Sequence, residues 1–258
     1  MMLLALMLLT ISEYDLLQKA AADGFLYRNV AVETVEKCPA KATCITAEGS
    51  TYLLKRLDTT AVTLEKSADG FALTIAPDKN FTNYRLFIRE ESTVRRIEVT
   101  QKRVTVLDKG SVTALQLVGV GAQGPVVIWQ KDVRATAIEP FTGDLLGSMN
   151  VLRKKAGLPP LTIDKTLAPF AAETIARVKK GDLSHYSGST GSIRHSGVRA
   201  KELGENLFSA TTLERAWLMM LASPSHLFNI LSPSFRRCFV GTLPAESGLI
   251  PGIVIFAD

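Results

Sequence analysis

The sequence predicts two domains: an antiparallel β sandwich or barrel over about residues 25–138, then a part of mixed helices and strands over about residues 143–258. Three observations predict this. From about residue 45 to 138 the apolar residues alternate with period two. Turn pairs (Asp69-Gly70, Pro77-Asp78, Lys109-Gly110, Gly124-Pro125) separate the runs at the roughly ten-residue spacing of a sandwich or barrel. Beyond Glu139-Pro140-Phe141-Thr142-Gly143, a linker by composition, the period becomes helical.

The strand-like runs cover residues 60–64, 71–76, 84–88, 94–99, 103–107, 112–118 and 126–130. Tyr84, Leu86 and Ile88 share one face, opposite Arg85 and Arg89, which the alternation assigns to solvent. A helical segment is expected near residues 13–22. The apolar run over residues 1–11 is too short to span a bilayer. It resembles the core of a secretory signal without a basic flank, with Ala20-Ala21-Ala22 as a cleavage candidate, so an export signal is expected.

In the second part Leu145, Met149, Leu152 and Ala156 lie on one helical face, which Gly157 can end. Pro159-Pro160 forces an extended stretch. A second helix starts near residues 164–166, with Leu167, Phe170, Ile175 and Val178 inward and Gly181 closing it. Residues 181–210 read as a long polar loop with one short helix near 196–203. Thr211-Thr212-Leu213-Glu214 reads as a capping box for a helix burying Leu213, Trp217, Met220 and Leu221. Pro224 opens a short helix through Leu231, which Asn229 helps to cap. Strand-like runs over 238–243 and 250–256 finish the chain.

Composition narrows the function classes. With 47% apolar and 21% charged residues the chain is globular, not disordered. The net charge of +5 is mild, and no basic run exceeds Arg153-Lys154-Lys155, which argues against nucleic acid as a partner. Of three cysteines, Cys38 and Cys44 are spaced for a local disulfide in an oxidising compartment, and Cys238 reads as a buried small hydrophobe.

All three histidines lie in the last third, and two of them flank Gly204-Glu205-Asn206-Leu207. His185 sits in Leu183-Ser184-His185-Tyr186-Ser187. His226 sits in Ser223-Pro224-Ser225-His226-Leu227-Phe228-Asn229-Ile230-Leu231. If the fold gathers His185, Glu205 and His226, the cluster can bind a metal, move a proton or hold a cleft in shape. Two His and one Glu match many catalytic zinc sites, although their separation is not a local ligand motif. A Glu–His pair can also act as a general base on water or on Ser184, Ser187 or Ser225, but no Gly-x-Ser-x-Gly elbow is present. The third reading is a hydrogen-bonded network that shapes a pocket, since an unpaired buried Glu205 would cost several kcal/mol. Asn206 is expected to fix a turn after Glu205. His195 reads as an exposed loop residue. Trp217, Met219 and Met220 read as helix core.

The ordered set of helix, Leu158-Pro159-Pro160-Leu161, helix, Ser184-His185, Gly204-Glu205-Asn206-Leu207, the Ser223-to-Leu231 motif and a closing Val254-Ile255-Phe256-Ala257 strand resembles the CAP superfamily. These are the cysteine-rich secretory proteins, antigen 5 and pathogenesis-related 1, and the likeness is to their bacterial branch, over about residues 143–257. The resemblance implies an α-β-α sandwich around a small antiparallel sheet, usually secreted. It implies that His185, Glu205, Asn206 and His226 line a central cleft and that His185 and His226 can hold a divalent metal such as zinc, as some members do. A second acid common in the family is missing, because Ser223 or Met220 stands in its place. The family's tryptophan before Ser-Pro falls on Met220, with Trp217 one turn earlier.

The leading expectation is therefore a secreted, periplasmic or envelope-associated binding module whose cleft takes a small, lipid-like or cell-envelope ligand. The alternatives are a metal-dependent or acid/base hydrolase using His185, Glu205 and His226, and a structural protein whose β domain contacts a protein partner.

Overall fold

The computed structural model describes residues 30–39, 42–56, 62–121, 124–137, 139–179, 200–244 and 250–258. The apolar start, the helical segment expected at 13–22, His185 and His195 lie outside the described residues.

Strands β1 (Val30–Val35), β2 (Thr43–Ala47) and β3 (Ser50–Arg56) form an antiparallel sheet in the order β1-β3-β2. Glu48 and Gly49, both at positive φ, turn β2 into β3, the backbone that a two-residue hairpin needs. Cys38 and Cys44 are disulfide-bonded across the preceding connection, as their spacing suggests. Cys238 is fully buried, and desolvation pushes its thiol up to about 12. Alkylation should therefore modify no cysteine in the native protein, one after denaturation and three after denaturation with reduction, as read by intact mass. Modification of Cys38 or Cys44 before reduction would contradict the bond.

The next seven strands pack as two sheets. β4 (Val62–Ser67), β5 (Gly70–Ile75) and β8 (Arg103–Leu107) form one, in the order β4-β5-β8. β6 (Asn83–Glu90), β7 (Val94–Val99), β9 (Val112–Gly121) and β10 (Gly124–Asp132) form the other, in the order β10-β9-β6-β7. Leu73, Ile75 and Val106 meet Leu86, Ile88, Leu115 and Leu117 between them, a sandwich core. The expected strands are thus present.

The face of the larger sheet assigned to solvent is where the structure departs from the sequence reading. Residues 112–119 of β9 are buried on both sides. Phe87 is buried too, and its ring meets Phe228 edge-on at 5.5 Å. Arg89 reaches the Leu221 carbonyl at 2.9 Å, and burial lowers its pKa while Asp132 opposes the shift. Alternation correctly placed these side chains opposite the core. It cannot say what covers the second face, and here the C-terminal part covers it.

That part is built on a third sheet. β11 (Thr162–Ile163), β12 (Leu203–Ala210), β13 (Arg237–Thr242) and β14 (Ile250–Ala257) lie in the order β11-β13-β14-β12, antiparallel except for β11 with β13. Helix α1 (Leu145–Lys155) starts where the Asp144 side chain accepts from the Gly147 amide at 2.7 Å, and Gly157, at φ 70°, follows its end. A 3-10 turn (Lys165–Leu167) capped by Asp164 leads into α2 (Ala168–Lys179), so Pro169 falls where no helical amide is needed. Helices α3 (Leu213–Ala222) and α4 (Pro224–Ile230) follow β12.

Helices cover both faces of this sheet. Leu145, Met149, Trp217, Met220, Leu227 and Ile230 pack on Phe208, Val254 and Phe256. Leu167, Phe170, Ala171 and Ile175 pack on Leu207, Ile253 and Ile255. β14 reads as a continuous apolar run because each face has its own helical layer. The result is an α-β-α sandwich. Among the described residues no helix is long and apolar enough to cross a membrane.

Three local expectations are corrected. Residues 203–210, read as the end of a loop with a helix near 196–203, are strand β12. The N-cap of α3 is Thr212, which accepts from Arg215 N at 3.0 Å; Glu214 is not at the third helical position, so the capping box is only half made. Met219, assigned to the core, is 42% exposed. Arg153, the first residue of the basic run Arg153-Lys154-Lys155, is fully buried.

Candidate functional site

β12 is the edge strand of the third sheet, and its outer side faces α4. Two amide side chains join them. Asn206, fully buried, donates through Nδ2 to the His226 carbonyl at 3.1 Å. Asn229 donates through Nδ2 to the Glu205 carbonyl at 3.1 Å and to Asn206 Oδ1 at 2.8 Å. Each chain segment thus binds the other's backbone, and side-chain amides replace the missing neighbour strand. Gly204 is part of the same fit. A Cβ there would lie 2.8 Å from the Phe235 ring and 3.0 Å from Asn229 Oδ1.

This corrects the turn expected at Gly204-Glu205-Asn206-Leu207. Asn206 does not cap a local turn; it lies in a strand and bonds to a helix twenty residues later. Nor does Asn229 cap its own helix, since its side chain reaches across to β12. Alternation then places Glu205 on the face it shares with Leu207, toward α2, and Asn206 on the α4 side. Glu205 and His226 are each partly buried, and both interact with other groups of the protein. These bonds tie the strand that carries Glu205 and Asn206 to the helix that carries His226. His185 lies outside the described residues.

The metal reading needs three convergent donors. Among the described residues no three His, Cys, Asp or Glu side chains come close enough to hold an ion. With His185 outside that set, Glu205 and His226 alone do not make a zinc site. Ser223, one of the two candidates for the position of the family's second acid, is the N-cap of α4, with its hydroxyl 3.2 Å from Gln116 Nε2 and 3.2 Å from Ser225 Oγ.

Sequence comparison agrees with this architecture. Residues 146–245 match the family described as CAP, the cysteine-rich secretory protein family. This stretch is a CAP region. An uncharacterized protein, YkwD, of Bacillus subtilis is 31% identical over 121 residues, 45% of this chain and 46% of that protein. The chain thus spans about half the length of that curated relative. An outer surface protein of Borrelia burgdorferi has 24% identity and a TM-score of 0.40, over 44% of this chain and 88% of that one. A cysteine-rich secretory protein of Staphylococcus aureus has 12% identity and a TM-score of 0.37, over 78% of this chain and 84% of that one. An extracellular SCP-domain protein of Bacillus anthracis has 16% identity and a TM-score of 0.38, over 78% and 68%.

Several residues that hold the C-terminal part in place carried no recognisable signal. Gln116 sits between Leu115 and Leu117 on a strand far in sequence from the residues it binds, Ser223 and Ser225. Arg153 was hidden in a basic run. Trp217, displaced from the family position, is fully buried and donates its indole N–H to the Glu139 carbonyl at 2.9 Å, which anchors the linker.

Proposed function

We propose that the chain works outside the cytoplasm as a binding module of two domains, residues 25–138 and 143–258. The cleft beside Glu205 and His226 would accept a small lipid-like or cell-envelope ligand, with His185 contributing to the same cleft. The observation that carries this reading is the reciprocal Asn206–Asn229 clamp. It holds a carboxylate-bearing strand against an imidazole-bearing helix before any ligand arrives, and such preorganisation lowers the ordering cost of binding. The Cys38–Cys44 disulfide supports an oxidising, extracytoplasmic setting. Ligand sites usually combine an apolar lining with a few placed polar groups, which suits a ligand with a polar head.

The test is a titration of the full chain, followed by amide and imidazole NMR, with three probes: palmitate, a muropeptide fragment and zinc chloride. Palmitate or the muropeptide should shift the signals of Glu205 and His226. Glu205→Gln should weaken that binding by roughly tenfold, the usual scale of one hydrogen bond to a charged group. No response to either organic probe, or full affinity in Glu205→Gln, would remove this reading. Zinc binding lost in His226→Ala would point to the metal-dependent alternative instead.

A further inference from the structure

We propose that the N-terminal β sandwich supplies the helix caps for the α3–α4 junction, and that Gln116 is a positioning residue for His226. The inference rests on reading the Glu205–His226 cleft as the site.

Helix ends leave backbone groups without intrahelical partners. At this junction one helix ends and the next begins around the shared cap residue Ser223, so the end groups of both helices lie close together in the chain. The last carbonyls of α3 belong to Leu221 and Ala222. Arg89 Nη1 of β6 donates to the first at 2.9 Å, and Gln130 Nε2 of β10 donates to the second at 2.9 Å. At the start of α4, Pro224 has no amide to satisfy, and Ser223 makes no side-chain cap bond to its own helix. The open amide, Ser225 N, donates instead to Gln116 Oε1 of β9 at 2.8 Å. The Gln116 amide is oriented for this by its other end, which donates to Gln130 Oε1 at 2.8 Å and to Ser223 Oγ at 3.2 Å.

The same sheet grips the next turn of α4. Phe87 packs edge-on against Phe228, and the Arg96 guanidinium lies 5.2 Å from that ring's centroid. His226 therefore sits on a helix capped at its N-terminus and held on its side by strands from the other half of the chain. A helix of seven residues is too short to be stable alone, so these contacts set its position. The sandwich acts on the cleft as a structural frame even though it contributes no cleft residue among those described.

The experiment uses the full chain and no ligand. Hydrogen exchange is measured at the Ser225 and Leu227 amides, with Ile255 in β14 as the reference, together with the His226 imidazole signals. Gln116→Met should speed exchange at Ser225 and Leu227 by roughly five- to tenfold relative to Ile255, the scale of a lost helix cap, and should move the imidazole signals. Adding Ser223→Asp provides a cap within the helix itself and should restore both. Gln130→Ala, at an exposed position, should give a smaller change in the same direction without a folding risk. Unchanged exchange in α4, or a uniform acceleration that Ser223→Asp does not reverse, would overturn the proposal. If the ligand titration fails while the exchange result holds, the binding-module reading falls and the capping stands. Binding at full affinity with no change in α4 exchange would remove the capping role alone.

Discussion

Replacing Arg153 by methionine should lower the unfolding free energy by about 4 kcal/mol, measured by denaturant unfolding. The guanidinium is fully buried and faces backbone carbonyls. Nε donates to Pro159 at 2.9 Å, Nη1 to Ile230 at 2.8 Å and Ser232 at 2.9 Å, and Nη2 to Phe235 at 2.9 Å. Arg153 thus ties the end of α1 to the chain leaving α4. Methionine fills the space but donates nothing. Phe235 keeps a second donor in Arg236, so three carbonyls lose this donor. Each carbonyl left unpaired costs about 1–3 kcal/mol, and release of a buried charge offsets part of the sum. Desolvation lowers the Arg153 pKa, which shows that the charge is held at a cost. Arg153→Lys should recover little, because an ammonium cannot reproduce the planar fork. A loss under about 1 kcal/mol for methionine would mean that water or neighbouring donors already satisfy these carbonyls.

Asn206→Leu should cost about 3 kcal/mol and, unlike Arg153→Met, should also loosen α4 around His226. Leucine is close in size, so the loss is of hydrogen bonds rather than volume. The His226 carbonyl loses its Asn206 donor, and Asn229 loses one of its two acceptors. A double-mutant cycle with Asn229→Ala isolates the bond between the two amides. A coupling near 1 kcal/mol or above is expected, because both residues belong to one network. Additivity within about 0.3 kcal/mol would show that the two amides act independently, and the clamp would then not be a unit. The second readout is the His226 imidazole signal, which should shift in Asn206→Leu and stay put in a core variant of equal stability loss far from α4.

Much of the architecture was legible in the sequence because it follows from local rules. Strands β5 to β10 announced themselves through alternation and turn pairs. Helices α1 to α4 did so through the helical period, Asp and Thr caps, Gly157 and Pro224. The error at β12 has a plain cause. Glycine, glutamate and asparagine are poor strand formers, so Gly204-Glu205-Asn206 looks like a turn. Pairing with β14 along its full length, from Leu203 opposite Ala257 to Ala210 opposite Ile250, overrides that preference. The site was only partly legible. The resemblance drew attention to Glu205, Asn206 and His226, but the bonds between β12 and α4 run through the Asn206 and Asn229 side-chain amides, which no spacing rule describes.

The sequence by itself determined the order and type of most elements, the apolar face of each, the disulfide pair and the CAP resemblance of the C-terminal part. Tertiary structure alone decided what lies against the second face of the β9 sheet, where Arg153 goes, and how the helix bearing His226 is held. The reason is the range of the contacts. Periodicity reports on neighbours a few residues away, whereas the bonds that frame α4 join Gln130 to Ala222, Gln116 to Ser223 and Ser225, and Arg89 to Leu221, residues 92 to 132 apart in the chain. A polar residue opposite a core is, in sequence, the same whether water or a helix end receives it.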